Sequence, residues 1–123
     1  MGFEIPGQKL GTQRAADALT NRYRFATIDT AGQVVQVSAA GAKAVGVLQS
    51  PAEAGEAAEL MITGVSKVEA GAAIANTGPI ASDVQGRAIT AVTGNVINGI
   101  ALETASAAGE VIAVLLGYGG AQA

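Results

Sequence analysis

The 123-residue sequence contains neither cysteine nor histidine, and its aromatic content is limited to two Phe and two Tyr. Without cysteine, the chain has no disulfides, no thiolate nucleophiles and no thiolate metal ligands. Without histidine, it lacks the commonest general base and the commonest transition-metal ligand. The core must therefore be built from Val, Ile, Leu and Ala, which bury little area per residue. These absences predict a protein that is not an enzyme and has no cofactor or metal, and the thin core favours oligomerisation.

Charge and hydropathy argue against two kinds of partner. The formal net charge of −3 opposes general affinity for nucleic acid, which depends on neutralising phosphates. No apolar run approaches the roughly 20 residues of a membrane span. Residues 1–6 lack the charged and apolar regions of a secretory signal. The sequence therefore predicts neither direct nucleic-acid binding nor a membrane segment.

From residue 25 onward, short β-branched segments alternate with turn signals every 8 to 12 residues or so. Gln33–Val37 and the nearly continuous apolar run Val111–Leu116 read as strands. The best helical candidate of this region, Pro51–Glu59, has no large apolar side chain and is interrupted by a glycine. The pattern predicts an all-β protein, either a small barrel or a sandwich of short strands.

The sequence repeats itself at an offset of 54 positions. The stretch 48–62 aligns with 102–116, so that an Ala-Gly-Glu turn followed by apolar residues occurs twice. The same offset places the turn Asp29–Gly32 on Asp83–Gly86, each with a capping Asp and a Gly suited to positive φ. Two related halves therefore make up the predicted β domain.

These patterns predict three regions. The β domain spans residues 25–117 and contains the repeat, about 29–62 and 83–116. An extended basic N-terminal arm, residues 1–24, precedes it, and a flexible tail, residues 118–123, follows it. The arm holds four basic residues against two acidic ones, which indicates either a frayed terminus or a segment that folds onto an acidic partner. Within it, Thr12–Leu19 is compatible with one or two helical turns.

No set of residues has the pattern of a catalytic site. The clustered glutamates lie among Ala and Gly, which is typical of a solvated rim rather than of a glycosidase pair. Asp29 and Asp83 are explained by turn capping, since a calcium loop needs more oxygen ligands. One alternative is a carrier domain modified on Lys67, which lies at the centre of the repeat but lacks the flanking residues of such carriers.

Several segments together resemble the phage capsid cement, or head-decoration, proteins. The resemblance covers about residues 26–116 and depends on turns and strands rather than on a catalytic signature. The segments that carry it are Ala31–Ser38, Ala44–Leu48, Ala54–Glu56, Gly64–Val68, Ala70–Ile74, Ser82–Ala88, Gly99–Leu102 and Ala108–Ile112.

The resemblance implies a small all-β protein, usually a homotrimer, on the outer surface of an icosahedral phage head assembled in the host cytoplasm. Such proteins bind the major capsid protein and clamp the seams between its subunits, which stiffens the expanded shell. The arm is the variable part of the family, so the resemblance assigns no contact residues. A decoration protein is therefore the leading hypothesis.

From charge and hydropathy we expect two interfaces in such a protein. The predicted capsid-binding residues lie in and beside the arm: Arg14, Arg22, Tyr23, Arg24 and Phe25. The predicted trimer interface is the last strand: Val111, Ile112, Val114, Leu115 and Leu116. On this hypothesis, deletion of residues 2–24 abolishes capsid binding and leaves a folded oligomer.

A third hypothesis is a β module that binds carbohydrate or a host surface. Sugar sites usually present stacked aromatic rings, and Tyr23 and Tyr118 are the two tyrosines of this sequence. Loss of glycan binding on changing either Tyr would support this alternative.

Overall fold

The computed structural model describes residue 2, residues 4–116, and residues 120 and 122. These residues contain eleven strands and no helix, as the turn-rich and β-branched pattern predicts. The strands are β1 (Ile5–Pro6), β2 (Lys9–Leu10), β3 (Phe25–Ile28), β4 (Val34–Gln36), β5 (Gly46–Leu48), β6 (Leu60–Met61), β7 (Gly64–Glu69), β8 (Pro79–Ser82), β9 (Ala88–Thr90), β10 (Gly99–Ala101) and β11 (Val111–Leu116).

The strands form two antiparallel sheets with corresponding strand orders. The five-stranded sheet runs β2-β6-β5-β3-β4, and the six-stranded sheet runs β1-β7-β11-β10-β8-β9. Strands β6-β5-β3-β4 of the first half thus have the same order as β11-β10-β8-β9 of the second. The two halves predicted from the sequence are therefore confirmed, and together they form a small β sandwich.

The repeated Asp-x-x-Gly turns have the same hydrogen bonds in both halves. The Asp29 carboxylate accepts from the backbone N–H groups of Ala31 and Gln33 at 3.0 and 2.9 Å. The Asp83 carboxylate accepts from Gln85 and Arg87, both at 2.8 Å. The glycines that end these turns, Gly32 and Gly86, have positive φ angles of 79° and 75°. The sequence pattern therefore encodes these turns locally.

The buried side chains form two clusters. The smaller lies on one side of the five-stranded sheet and includes Leu19, Val34 and Leu60. The larger lies between the sheets and combines side chains of both halves, such as Phe25 and Ile112. Its other large members are Val37, Val47, Met61, Val68, Ile74, Ile80, Val114 and Leu116.

The segment predicted to be an arm is part of the β domain. Ala15 and Leu19 are buried in the smaller cluster. Ala15 forms a parallel bridge with Val34, and Leu19 an antiparallel bridge with Ala52. Residues 9–24 therefore belong to the five-stranded side of the sandwich, and no helical turn forms between residues 12 and 19. Backbone hydrogen bonds to strands far along the sequence decide this conformation, which composition alone did not predict.

The same segment is also part of the repeat. In the second half, Ala70 and Ile74 form the corresponding bridges with Ala88 and Ala105. Residues 9–24 thus occupy in the first half the place of residues 64–78 in the second. The repeat is longer than the sequence predicted, since it includes nearly all of the supposed arm.

The C-terminal residues that the structure describes are held by backbone hydrogen bonds. The N–H of Gln122 donates to the carbonyl of Asn95 at 2.8 Å, and the N–H of Ile97 donates to the carbonyl of Gly120 at 2.8 Å. This antiparallel pairing differs from the predicted flexible tail at these two positions. Tyr118 lies outside the described residues.

Candidate functional site

Tyr23 has an unusual backbone conformation that the repeat explains. Its φ is 64°, in the left-handed region that residues with a side chain rarely adopt. Thr77, 54 positions later, has a φ of 61°. Each donates its N–H to the neighbouring strand, Tyr23 to Leu48 at 2.7 Å and Thr77 to Ala101 at 2.6 Å. The strained backbone therefore belongs to the shared framework, and only the side chains distinguish the two places.

The side chains around Tyr23 form the cationic patch, which we define as Arg22, Tyr23 and Lys67. The Arg22 guanidinium carbon lies 4.7 Å from the centre of the Tyr23 ring, and the Lys67 Nζ lies 5.8 Å from it. Both distances suit cation–π attraction. The corresponding loop of the second half, Asn76–Gly78, has no charge and no aromatic ring. The patch therefore forms around the Tyr23 loop of the first half, with Lys67 contributed by β7 of the second half, and the equivalent loop of the second half has no such patch.

An open groove of about 500 Å³ lies beside the cationic patch. It combines basic, aromatic and apolar side chains, a mixture enriched at the centres of protein interfaces. Its lining residues are Thr20, Asn21, Arg22, Tyr23, Pro51, Glu69 and Val111.

Arg24 and Phe25, two of the predicted capsid-binding residues, are used inside the chain. The Arg24 guanidinium forms an ion pair with Glu69 at 3.3 Å and donates to the carbonyl of Gln85 at 3.0 Å. It thereby joins β3 to the end of β7 and to a turn of the second half. The Phe25 side chain is buried in the core between the sheets. Neither side chain is available to a partner in the way the sequence suggested.

The basic charges of the N-terminal segment lie beside an acidic loop of the same chain. The Lys9 Nζ is 3.7 Å from a carboxylate oxygen of Glu59. The exposed Arg14 donates to the carbonyl of Gly55 at 2.8 Å. These contacts form because residues 9–19 run alongside residues 52–61, and they leave the prediction of an acidic partner protein as a prediction.

Arg22 and Lys67 have no carboxylate partner among the described residues, in contrast to Lys9 and Arg24, and Arg14 donates to a backbone carbonyl. The ion pairs among the described residues are Lys9–Glu59, Arg24–Glu69 and Asp83–Arg87. Arg22 is exposed and Lys67 is half-buried. On a chain with a net charge of −3, the cationic patch is a local positive surface.

The position of Lys67 opposes the carrier hypothesis. Lys67 lies within the six-residue strand β7, paired with Ala113 of β11. Its Nζ lies over the Tyr23 ring rather than at the tip of a hairpin. A modifying enzyme needs a protruding lysine, so this geometry does not support a carrier domain.

The strand predicted as a trimer interface lies inside the six-stranded sheet. Strand β11 pairs with β7 on one side and β10 on the other, so it has no free edge. Ile112, Val114 and Leu116 are buried in the core of the single chain. Val111 is half-buried, and Leu115 is 41% exposed. Of the five predicted residues, Leu115 is the one with a largely accessible side chain.

Two further kinds of site bear on function: a cluster of metal ligands and a membrane-spanning helix. The described residues contain no group of three or more carboxylates that could hold a metal ion. They also contain no helix with the length and apolar character needed to cross a membrane. Hydrogen bonds from the Ser106 hydroxyl and backbone N–H lower the pKa of the Glu110 carboxyl. That carboxylate acts as a turn cap and does not converge with other titratable groups.

Comparisons with known proteins agree with this structural picture. The chain superimposes on the N base of the head fiber gp8.5 of bacteriophage phi29 with a TM-score of 0.73 and 14% sequence identity, covering 94% of this chain and 100% of that one. At that identity the likeness shows the fold. No curated protein matches the sequence. The model of a family described as phage cement protein matches residues 13–116. That span includes both halves of the repeat and most of the supposed arm, and the chain therefore belongs to the phage cement protein family.

Proposed function

We propose that this chain is a decoration protein on the outer surface of an icosahedral phage head, where it binds the seams between major capsid protein subunits. Membership of the phage cement family supports a capsid-associated structural role. In this proposal the chain has no enzymatic activity and acts as a homotrimer. It stabilises the expanded shell by adding buried contact area across the seams.

The observation that carries the proposal is the cationic patch. Arg22 and Lys67 have no carboxylate partner among the described residues, and the charged groups of both lie over the Tyr23 ring. Tyr and Arg side chains commonly provide the main binding energy of protein interfaces. We therefore assign the capsid contact to this patch and its groove, and we propose the exposed Arg14 as an additional contact.

The partner that fits this surface is an acidic segment of the major capsid protein. A carboxylate that enters the groove would meet Arg22, with Lys67 nearby over the Tyr23 ring, whereas Glu69 is already neutralised by Arg24 at 3.3 Å. Many copies on one lattice make modest single contacts sufficient through avidity. Exposed charge pairs are screened, so binding should weaken as salt increases.

The test is head binding by the Arg22→Glu variant. We expect at least a roughly tenfold loss of affinity for purified heads that lack the protein, because a favourable charge contact becomes repulsive. The measurement is co-sedimentation with heads over a range of protein and salt concentrations. Lys43→Glu is the matched control, because Lys43 is exposed and undergoes the same change of charge outside the patch.

Equal binding of Arg22→Glu and wild-type protein would exclude the patch as the capsid contact. A second measurement tests the stabilising role: decorated heads should retain DNA to a higher temperature than bare heads. Heads that bind the protein but release DNA at the same temperature would contradict that role.

The glycan-binding alternative receives little support from the geometry. The Arg22 guanidinium lies over the Tyr23 ring, where a sugar would otherwise stack. No other Tyr or Trp side chain is present among the described residues. The capsid-binding proposal accounts for the same residues with a partner of complementary charge.

A further inference from the structure

The two halves contact each other through different faces. The larger core contains four side chains from one face of the first half: Phe25, Val37, Val47 and Met61. We call these the donor face of the first half. They pack against the second half's own buried residues, among them Ile74, Ile80 and Ile112. The contact is therefore heterologous, since one face of the first half covers a different face of the second.

The repeat identifies the corresponding donor face on the second half. The sequence offset and the strand registers place Pro79, Ala91, Ile100 and Leu115 at the four equivalent positions. Backbone bonds support this, since Val37 donates to the carbonyl of Phe25 and Ala91 to the carbonyl of Pro79.

This second donor face is not part of either buried cluster. Leu115 is 41% exposed, Pro79 and Ile100 are half-buried, and the small side chain of Ala91 is buried. Val92, beside Ala91, is 62% exposed. Among the described residues, four large apolar side chains are exposed: Val84, Val92, Leu102 and Leu115. Two of these four, Val92 and Leu115, lie on or next to this face.

The contact inside the chain also shows which residues of the second half lie against the donor face of the first half. Three residues of the second half, Ser82, Asn98 and Leu116, are buried where the first half covers them. The Asn98 side chain accepts from the N–H of Ala44 at 3.0 Å and donates to the carbonyl of Ala42 at 3.1 Å. We call these three residues the acceptor surface of the second half.

The equivalent acceptor surface of the first half consists of Ile28, Val45 and Ile62. All three are apolar and half-buried, whereas their counterparts in the second half are buried. These three side chains pack in part against the smaller cluster, so each chain presents one partly accessible donor face and one partly accessible acceptor surface. Exposed apolar patches of this kind commonly mark interaction sites.

We propose that the donor face of the second half binds the acceptor surface of the first half in another copy of this chain. The occupant is a second copy because the same pair of surfaces already meets within the chain. A head-to-tail contact of this kind generates a closed ring when its rotation closes. The proposal rests on the homotrimer of the proposed function and specifies it: three chains form a ring of six similar halves.

The first experiment measures the mass of the full-length chain in solution by light scattering, without capsids. We expect wild-type protein to have the mass of three chains and Leu115→Asp to have the mass of one, since a charge on the donor face would be buried. Val84→Asp is the matched control, because Val84 is 59% exposed in a turn outside both surfaces. It should keep the three-chain mass.

The second experiment uses the absence of cysteine from the sequence. Within the chain, the N–H of Ala44 in the first half donates to the side chain of Asn98 in the second half. The repeat relates Ala44 to Ile97 and Asn98 to Val45. Across the proposed interface, Ile97 of one copy should therefore lie beside Val45 of another. Mild oxidation of a mixture of Ile97→Cys and Val45→Cys proteins should give a disulfide-linked dimer containing one of each. Neither variant alone should give a linked dimer.

Several outcomes would overturn the proposal. They are a wild-type protein with the mass of one chain, a Leu115→Asp variant with the wild-type mass, and cross-linked dimers in either cysteine variant alone. Urea unfolding of each variant shows that it is folded, and Leu115→Glu replaces any Leu115→Asp preparation that is not. A trimer that does not bind heads refutes the proposed function and leaves this ring intact, whereas a monomer that binds heads refutes the ring alone.

Discussion

The two halves of this protein have the same backbone frame and different surfaces. Both contain an Asp-capped turn, an Ala-Gly-Glu turn and a left-handed residue, which is Tyr23 before β3 and Thr77 before β8. The first half carries Arg22-Tyr23-Arg24 where the second carries Asn76-Thr77-Gly78. The shared backbone therefore accounts for the fold, and the side chains that differ between the halves include those to which we assign the proposed capsid contact.

The two halves also differ in the size of their buried cores. All eight buried residues of the smaller cluster have counterparts in the larger one: for example, Leu19 corresponds to Ile74, and Leu60 to Val114. The larger cluster contains in addition the donor face of the first half. Each half thus has its own small core, and one of them is enlarged by the contact between halves.

The largest expected effect comes from removing the first segment of the first half. Deletion of residues 2–24 removes Ala15 and Leu19 from the smaller cluster together with strands β1 and β2. We expect loss of cooperative unfolding, because the deletion exposes a core and leaves backbone groups of β6 and β7 unpaired. This differs from the sequence-based expectation of a folded oligomer. The measurement is urea unfolding followed by circular dichroism.

A deleted protein that unfolds cooperatively at the wild-type midpoint would show that residues 2–24 are an appendage after all. As a control, Arg14→Ala removes one exposed basic side chain of the same segment and should change the unfolding free energy by less than about 0.5 kcal/mol.

An intermediate effect is expected from a matched pair of glycines, Gly46 and Gly99. A Cβ at Gly46 would lie 2.6 Å from the carbonyl oxygen of Met61, and a Cβ at Gly99 would lie 2.6 Å from that of Leu115. Both contacts are with the backbone of the neighbouring strand, which cannot move aside without disturbing the sheet. We expect Gly46→Ala and Gly99→Ala each to lower the unfolding free energy by about 1–3 kcal/mol.

Urea unfolding of the purified variants measures this effect. Gly11→Ala is the control, because a Cβ there meets no atom within 4 Å, and it should be neutral or slightly stabilising. A large loss in one member of the pair with none in the other would contradict the equivalence of the two halves at these strands.

The smallest effect concerns the two Ala-Gly-Glu turns. In the first half, Glu56 accepts from the backbone N–H of Glu53 at 2.7 Å. In the second, Glu110 accepts from the backbone N–H of Ser106 at 3.0 Å and also from its hydroxyl. The additional hydroxyl bond is the main reason that the pKa of Glu110 is lowered.

Ser106→Ala should therefore raise the pKa of Glu110 toward its usual value of 4.5. Because the folded-state pKa is lowered, the associated stability is present above the usual pKa and is lost as the pH falls through the lowered one. Titration of the side-chain carboxyl by NMR measures the shift. Thr104→Ala, which removes an exposed hydroxyl nearby, should leave it unchanged, and an unchanged value in Ser106→Ala would contradict the assignment.

Local patterns made several features predictable. The capping Asp and the following Gly determine each four-residue turn through bonds within the turn itself. The β-branched runs between the turns determine the strand class. The offset of 54 residues relates β3 to β8 and β4 to β9 without any shift. These features need no knowledge of distant residues.

The site was less predictable from the sequence. Charge and residue type indicate Arg22 and Tyr23 as contact residues, whereas the sequence suggests Lys67 only as a modification site. Nothing local indicates that Lys67 lies 5.8 Å from the Tyr23 ring, since β7 and the loop before β3 are more than 40 residues apart in sequence. In the sequence, Arg24 and Phe25 are as basic or aromatic as Arg22 and Tyr23. Only the structure shows that Arg24 and Phe25 are engaged inside the chain.

The sequence by itself determined the all-β class, the turns and the existence of two halves, because these depend on interactions within a few residues. The tertiary structure decided that residues 9–24 complete the first half, since their partners are strands 18 or more residues away. It also decided which apolar faces are covered. Phe25 and Met61 are buried, and their counterparts Pro79 and Leu115 are partly exposed, because a single chain contains one contact between halves and leaves the equivalent surfaces free.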